Sequence, residues 1–148
     1  MPKFGRASRE RLATCHPLLR ELMNEVVISV DCTILEGHRD QARQDALFSQ
    51  GRSKVRWPDG RHNAMPSLAV DAAPYFADPP HIRWPDPKSS QYARELGQWY
   101  MFIGYVRRTA EEMGIAIRCG ADWDGDGETT DQSFHDLPHI ELLSTRKV

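Results

Sequence analysis

The feature that most constrains this chain is a long apolar stripe at helical spacing in its second half. Between Ser89 and Met113 hydrophobic residues recur every three or four positions, as they do on one face of a helix. The stripe comprises Tyr92, Leu96, Trp99, Tyr100, Phe102, Ile103, Val106, Ala110 and Met113. Ser89 or Ser90 could cap the first turn, and Gly114 is suited to end the last one. The pattern predicts one long helix whose apolar face must be covered by other elements.

The segment before this helix mixes helical and extended patterns. Helical spacing predicts a first helix from Ser8 to about Asn24, and a run rich in β-branched residues predicts a strand over 26–35. A short helix is expected over 40–50, ended by Gly51. The residues from 51 to 66 are polar, basic and rich in turn formers, so we expect a long loop there.

The remaining elements are short. Strands are predicted over 67–73, 115–119 and 138–143. The stretch 78–88 holds four prolines in eleven residues and should be irregular, and 120–136 is an acidic loop. With no repeat and no linker, the chain is expected to form a single α+β domain over 1–148, with a small, mainly antiparallel sheet flanked by helices.

Composition excludes several classes of protein. A formal net charge of −2 over 148 residues argues against nucleic acid as the main partner. The three cysteines form no CxxC pair, which excludes a cysteine-rich zinc site and favours reduced, buried thiols. No apolar run approaches the roughly 20 residues that span a bilayer, so no stable membrane insertion is expected. The first residues lack the apolar core of a signal peptide, which predicts synthesis in the cytoplasm.

Three potential metal ligands lie in or beside the predicted strands. His62 precedes the strand that contains Asp71, and His139 lies in the last strand. Two histidines and a carboxylate, with the fourth position left to water, are typical of catalytic rather than structural zinc. Any one histidine is more often a surface residue than a ligand, and no HExxH motif is present, so the pattern alone leaves both interpretations open.

Two carboxylates flank the last of these histidines. Glu141 lies two residues after His139 and should share its face of the strand, where it could orient a ligand. Asp136 precedes Pro138, which disfavours a regular strand, so a bend there could bring Asp136 close to the metal.

The acidic loop resembles the opening of a calcium-binding loop. Asp122, Asp124, Asp126 and Glu128 alternate with other residues, and carboxylates in this arrangement suit a hard cation. The twelfth position is Ser133 rather than glutamate, so the full pattern fails at its bidentate ligand. Calcium binding as a regulator and a merely solvated acidic loop both remain open.

Two motifs together resemble a known family. The stretch His62-Asn-Ala-Met-Pro-Ser-Leu-Ala-Val-Asp71 and the later Asp136-Leu-Pro-His139-Ile-Glu141 look like the phage endolysin branch of the M15 zinc metallopeptidases. The similarity extends from about Ile34 to Leu142 and includes Arg39, where the family carries an arginine. The fold that it implies is the hedgehog/DD-peptidase-like α+β fold.

The resemblance also implies roles for single residues. His62, Asp71 and His139 would be zinc ligands, Asp136 a general acid/base, and Arg39 a group that binds the substrate carbonyl or the oxyanion. From the residues alone, Arg39 could equally be an ion-pair partner of Asp40 or Glu36. Two departures are visible. Gly60 stands where the family usually has serine, and the gap between the first two ligands is longer than the commonest one.

The implied function is a zinc-dependent peptidoglycan endopeptidase that hydrolyses the L-Ala–D-Glu bond of the stem peptide. Such a phage enzyme would act as a monomer on the bacterial wall after release from the host cytoplasm. Two alternatives remain at this point. One is a D-alanyl-D-alanine carboxypeptidase or dipeptidase of the same fold, and the other is a non-catalytic wall-binding module.

Overall fold

The computed structural model describes residues 1–148 and contains four helices and four strands. The helices are α1 (Arg6–Leu12), α2 (Pro17–Ser29), α3 (Gln41–Ser49) and α4 (Tyr92–Glu112). The strands are β1 (Cys32–Glu36), β2 (Ala69–Pro74), β3 (Ile117–Cys119) and β4 (His139–Leu142). They form one antiparallel sheet in the order β1-β2-β4-β3, and a 3-10 turn covers Arg61–Asn63. The expected α+β class is confirmed.

Helix α4 is the predicted long helix. Its apolar face buries Phe102, Ile103 and Val106 in the core shared with α2 and the sheet, and Trp99 is buried against Trp84. Neither serine caps it, because Gln91 occupies the N-cap position and makes no side-chain cap hydrogen bond. Gly114 follows the last turn with φ of +71°, the left-handed conformation that glycine adopts most readily. The Trp99 indole donates a hydrogen bond of 2.9 Å to a backbone carbonyl of the proline-rich segment, which fixes that irregular stretch on the helix.

The N-terminal elements differ from the prediction. The first helix is broken in two, because Pro17 has no N–H to continue α1 and instead occupies the first turn of α2. His16 is the N-cap of α2, and its Nδ1 accepts a hydrogen bond from the Leu18 N–H. The strand expected from residue 26 begins only at residue 32, because Val26 and Val27 are buried positions on the inner face of α2. Tertiary packing outweighs their β propensity here.

The register of the sheet brings distant residues together. On one side of β2, Asp71 lies opposite His139 of β4, and on the other side it lies opposite Glu36 of β1. The pairing of β1 with β2 shifts between Ile34 and Glu36, as in a β-bulge. Asp71 is therefore flanked by a polar residue on each neighbouring strand.

The two faces of the sheet have different environments. Val70, Ala72 and Ile140 belong to the apolar core that the helices cover. Because side chains alternate along a strand, Asp71 and His139 point to the opposite face. That face carries the polar site. No helix in this structure is long and apolar enough to cross a membrane.

Candidate metal and catalytic site

Three side chains converge at one end of the central strands. The ligand atoms of His62, Asp71 and His139 all lie within 4.8 Å of one another. Asp71 Oδ1 is 3.1 Å from His62 Nε2 and 3.5 Å from His139 Nδ1. His62 comes from the 3-10 turn, whereas the other two face each other across β2 and β4. The structure thus brings together the three residues that the sequence singled out.

Each histidine is held in place by a contact at the ring nitrogen that points away from Asp71. His62 Nδ1 is 2.8 Å from the carbonyl oxygen of Gly37, which can only accept, so this nitrogen carries the proton. His139 Nε2 lies 2.9 Å from Glu141 Oε1. These contacts leave the lone pairs of His62 Nε2 and His139 Nδ1, the nitrogens that face Asp71, available to a metal ion. Carboxylate and carbonyl partners of this kind commonly fix metal-binding histidines.

The electrostatics of the cluster favour a bound cation. Burial alone would raise the pKa of Asp71, yet His62 and His139 together hold it well below its ordinary value. Burial lowers the pKa of His139, but Asp71 and Glu141 outweigh it and raise that pKa to about 9. The carboxylates therefore stabilise positive charge at this end of the cluster. Two nitrogens and one carboxylate oxygen in a mostly buried cluster match the donor set of catalytic zinc.

Asp136 lies beside this cluster. Its Oδ2 is 4.0 Å from His139 Nδ1, and its side chain is 35% exposed towards the cavity. Gly120 holds the backbone in place, because the Asp136 N–H donates to the Gly120 carbonyl at 2.9 Å. A Cβ at position 120 would collide with the Asp136 backbone, so glycine allows this close approach. Burial, and then the charge of Asp71, raise the pKa of Asp136.

Arg39 lies at the cavity but is already paired. Its guanidinium donates to both carboxylate oxygens of Glu36 at 2.9 Å, and Nη1 donates to Gln44 Oε1 at 3.1 Å. Nη2 is also 3.9 Å from Asp71 Oδ2. Of the two ion-pair partners considered from the sequence, the structure shows Glu36, whereas the Asp40 carboxylate caps α3 by accepting the Arg43 N–H.

The cluster opens into a cavity of about 910 Å³. Basic residues from the 51–61 segment, including Lys54, line the cavity. Aromatic side chains line it too, among them the exposed Trp84 and Phe134. A cleft of this size can enclose a peptide-sized ligand against the cluster.

Comparisons with known proteins identify the family of this chain. A family model described as phage L-alanyl-D-glutamate peptidase matches residues 1–143. The chain belongs to the phage L-alanyl-D-glutamate peptidase family. Membership of this family, and with it a peptidase activity, was expected from the two motifs and is confirmed.

Two relatives of the peptidase match over nearly its whole length. The L-alanyl-D-glutamate peptidase of Escherichia phage T5 is 28% identical over 146 residues, which are 95% of this chain and 98% of the relative. The crystal structure of the L-Ala D-Glu endopeptidase ChiX of Serratia marcescens superposes with a TM-score of 0.66 and 25% identity. That match covers 95% of this chain and 90% of ChiX. A vancomycin-resistance D,D-dipeptidase, VanXYg, matches with a TM-score of 0.48 and 18% identity, over 86% of this chain and 48% of its own.

The structure also reveals polar residues of the peptidase that sequence reasoning missed. Gln44 is only 1% exposed, and its amide joins Arg39 to Asn63 in the turn that carries His62. In the sequence, the only sign of this role is that Gln44 is a polar residue on the same helix face as Leu47, the other buried residue of α3. Gly60 is explained by the same network, because its N–H donates to Asn63 Oδ1 and a Cβ at position 60 would lie 2.6 Å from that oxygen.

Three of the four carboxylates proposed as calcium ligands in the acidic loop lie close together, and the fourth does not. Carboxylate oxygens of Asp122, Asp124 and Asp126 lie within 4.8 Å of one another. Asp122 is buried and forms an ion pair of 2.9 Å with Arg107. Glu128 instead accepts hydrogen bonds from Thr130. Since Arg107 already balances one of the carboxylates, calcium binding stays a prediction.

Proposed function

We propose that this peptidase is a zinc-dependent endopeptidase that hydrolyses the L-Ala–D-Glu bond of the peptidoglycan stem peptide. His62, Asp71 and His139 would hold the zinc ion. The observation that carries the proposal is the convergence of these three donors beside Asp136 in one large cavity. We also propose that the enzyme is a monomer and that it acts on the bacterial wall after its release from the host cell.

The residues around the cluster supply the rest of the chemistry. Bound zinc would lower the pKa of a water molecule to about 7 and polarise the scissile carbonyl. Asp136 would accept the proton of the attacking water and later deliver it to the leaving amine. The raised pKa of Asp136 suits both steps, since a carboxylate of higher pKa is a stronger base. Glu141 would keep His139 in the tautomer that leaves Nδ1 free.

Arg39 would act on the oxygen of the scissile carbonyl. It lines the same cavity and lies next to Asp71. A fixed guanidinium stabilises the negative charge that develops on that oxygen in the transition state. Glu36 holds the guanidinium in place by two hydrogen bonds, which removes most of the side-chain freedom that binding would otherwise cost.

The test is the digestion of purified muropeptides with zinc-loaded protein, followed by mass spectrometry. Cleavage between L-Ala and D-Glu supports the proposal. Release of a terminal D-alanine would assign the enzyme to the D-alanyl-D-alanine class instead, and no product would favour a non-catalytic wall-binding module.

The role of Asp136 is tested by Asp136→Asn, which keeps the size of the side chain and removes its basicity. We expect normal zinc content and a loss of turnover of about a hundredfold or more. The matched control is Asp59→Asn, because Asp59 is an exposed carboxylate that lines the same cavity. Near wild-type turnover in metal-replete Asp136→Asn would refute the role.

A further inference from the structure

Two arginines share a single carboxylate, that of Glu141, on the wall of the cavity beside His139. The Glu141 carboxylate is buried, and one of its oxygens accepts the hydrogen bond of His139. Its other oxygen, Oε2, lies 3.2 Å from Arg118 Nη2 and 3.4 Å from Arg61 Nε. One carboxylate therefore faces two guanidinium groups. An anionic ligand placed here would complete the charge balance.

Both arginines line the cavity and are similarly exposed, 41% for the Arg61 side chain, but they differ in the donors that remain for a ligand. Arg61 donates to the Leu142 carbonyl, and its Nε is buried. Arg118 uses one of its five N–H bonds, to Glu141, and its side chain is 43% exposed in the cavity. A guanidinium that is anchored at one nitrogen and free at the others has donors left for a second anion.

Arg118 is also held in a defined place. It lies on strand β3, and its guanidinium carbon is 5.6 Å from the ring centre of Trp123. The same indole packs against His139 at 5.3 Å between ring centroids. A cation over an aromatic face is stabilised and loses freedom. Arg118 thus presents its free donors on the wall next to a candidate zinc ligand.

A planar fork of donors is suited to a carboxylate, which it can bind through two parallel hydrogen bonds. In the stem peptide the chain continues through the γ-carboxyl of D-Glu. Its α-carboxylate therefore stays free, on the carbon that bears the scissile nitrogen. We propose that Arg118 forms the subsite for this α-carboxylate and makes the enzyme select a carboxylate over a carboxamide at that position. This inference rests on the proposed function.

The test uses two muramyl tetrapeptides that differ only in the α-group of the second residue, carboxylate in D-Glu and carboxamide in D-isoglutamine. The wild-type enzyme should prefer the carboxylate in kcat/KM by about ten- to a hundredfold, the usual size of a charge-assisted hydrogen bond. Arg118→Met should bring this ratio close to one by losing more activity on the carboxylate. Arg118→Lys keeps a cation beside Glu141 but loses the fork, so its ratio should lie between the two.

The matched control is Lys54→Met. Lys54 is another cation lining the cavity, but its ammonium lies over the Phe134 ring at 5.0 Å, and the ratio should stay at its wild-type value. Equal losses on both substrates in the Arg118 variants would show a purely structural role and overturn the proposal. A wild-type enzyme that cleaves both substrates equally well would overturn it too, while leaving the proposed function intact. If the wild-type enzyme cleaves neither, the proposed function itself fails.

Discussion

Replacing Gln44 with methionine is expected to destabilise the fold, although it changes neither a metal donor nor a catalytic group. The buried amide makes four hydrogen bonds. Oε1 accepts from Arg39 Nη1 and from Asn63 Nδ2, both at 3.1 Å. Nε2 donates to Ser53 Oγ at 2.9 Å and to the Val55 carbonyl at 2.6 Å. Methionine has a similar length and helix propensity, so the loss of these bonds dominates the effect.

The size of the effect follows from where the four partners lie. Ser53 and Val55 are near the surface and can bond to water instead. Asn63 is buried and Arg39 is largely so, so each is left with an unsatisfied donor, at about 1–3 kcal/mol per group. Arg39 and Asn63 keep their other hydrogen bonds, which reduces this cost. We therefore expect a loss of about 2–4 kcal/mol in the free energy of unfolding. For a chain of this size the melting temperature should fall by roughly 5–15 °C.

The assay is urea unfolding followed by circular dichroism, with Gln41→Met as the matched control. Gln41 lies in the same helix but is exposed, so its substitution should leave stability within about 0.5 kcal/mol of wild type. The slope of the free energy against urea should be the same in all three proteins. A Gln44→Met variant as stable as the control would refute the network argument.

Three further outcomes follow from other parts of the structure. Burial raises the thiol pKa to about 11 for Cys15 and about 12 for Cys32 and Cys119. Native protein at pH 8 should therefore react with iodoacetamide far more slowly than urea-unfolded protein, and equal rates would contradict this. Gly114→Ala should lose about 1–2 kcal/mol of stability, because alanine disfavours φ of +71°, and unchanged urea unfolding would contradict it. If the acidic loop binds calcium, calorimetry should show heat at millimolar calcium that Asp122→Asn removes, whereas a flat wild-type trace would dismiss the site.

Elements with strong local signals were predictable from the sequence. The stripe and terminal glycine of α4 and the Gly51 stop of α3 are local features, and both helices form as expected, with Asp40 as the N-cap of α3 rather than its first residue. The break at Pro17 was also a local signal, but the helical spacing on both sides of it masked the division into two helices. The strand predicted from Val26 was wrong because this β-branched run lies in α2, where it packs against residues that are distant in the sequence.

The candidate site also has features that the sequence predicts and features that only the folded structure shows. The identities of His62, Asp71 and His139 followed from the motifs, and their spacing around short strands was consistent with one cluster. Which atoms face inward depends on the strand register and on the Gly37 carbonyl, which lies far from His62 in the sequence. The contact between Glu141 and His139 is local and was expected from their spacing. The pairing of Arg39, the Gln44 network and the free donors of Arg118 also require the folded structure.

The proposed activity depends above all on zinc held by His62, Asp71 and His139. Metal analysis of purified protein after equilibration with zinc and removal of the excess tests it most directly. The control is His135→Ala, because His135 lines the same cavity and is exposed. We expect about one zinc per chain in wild type and in His135→Ala, and markedly less in His139→Ala. Full zinc retention in a folded His139→Ala variant would contradict it.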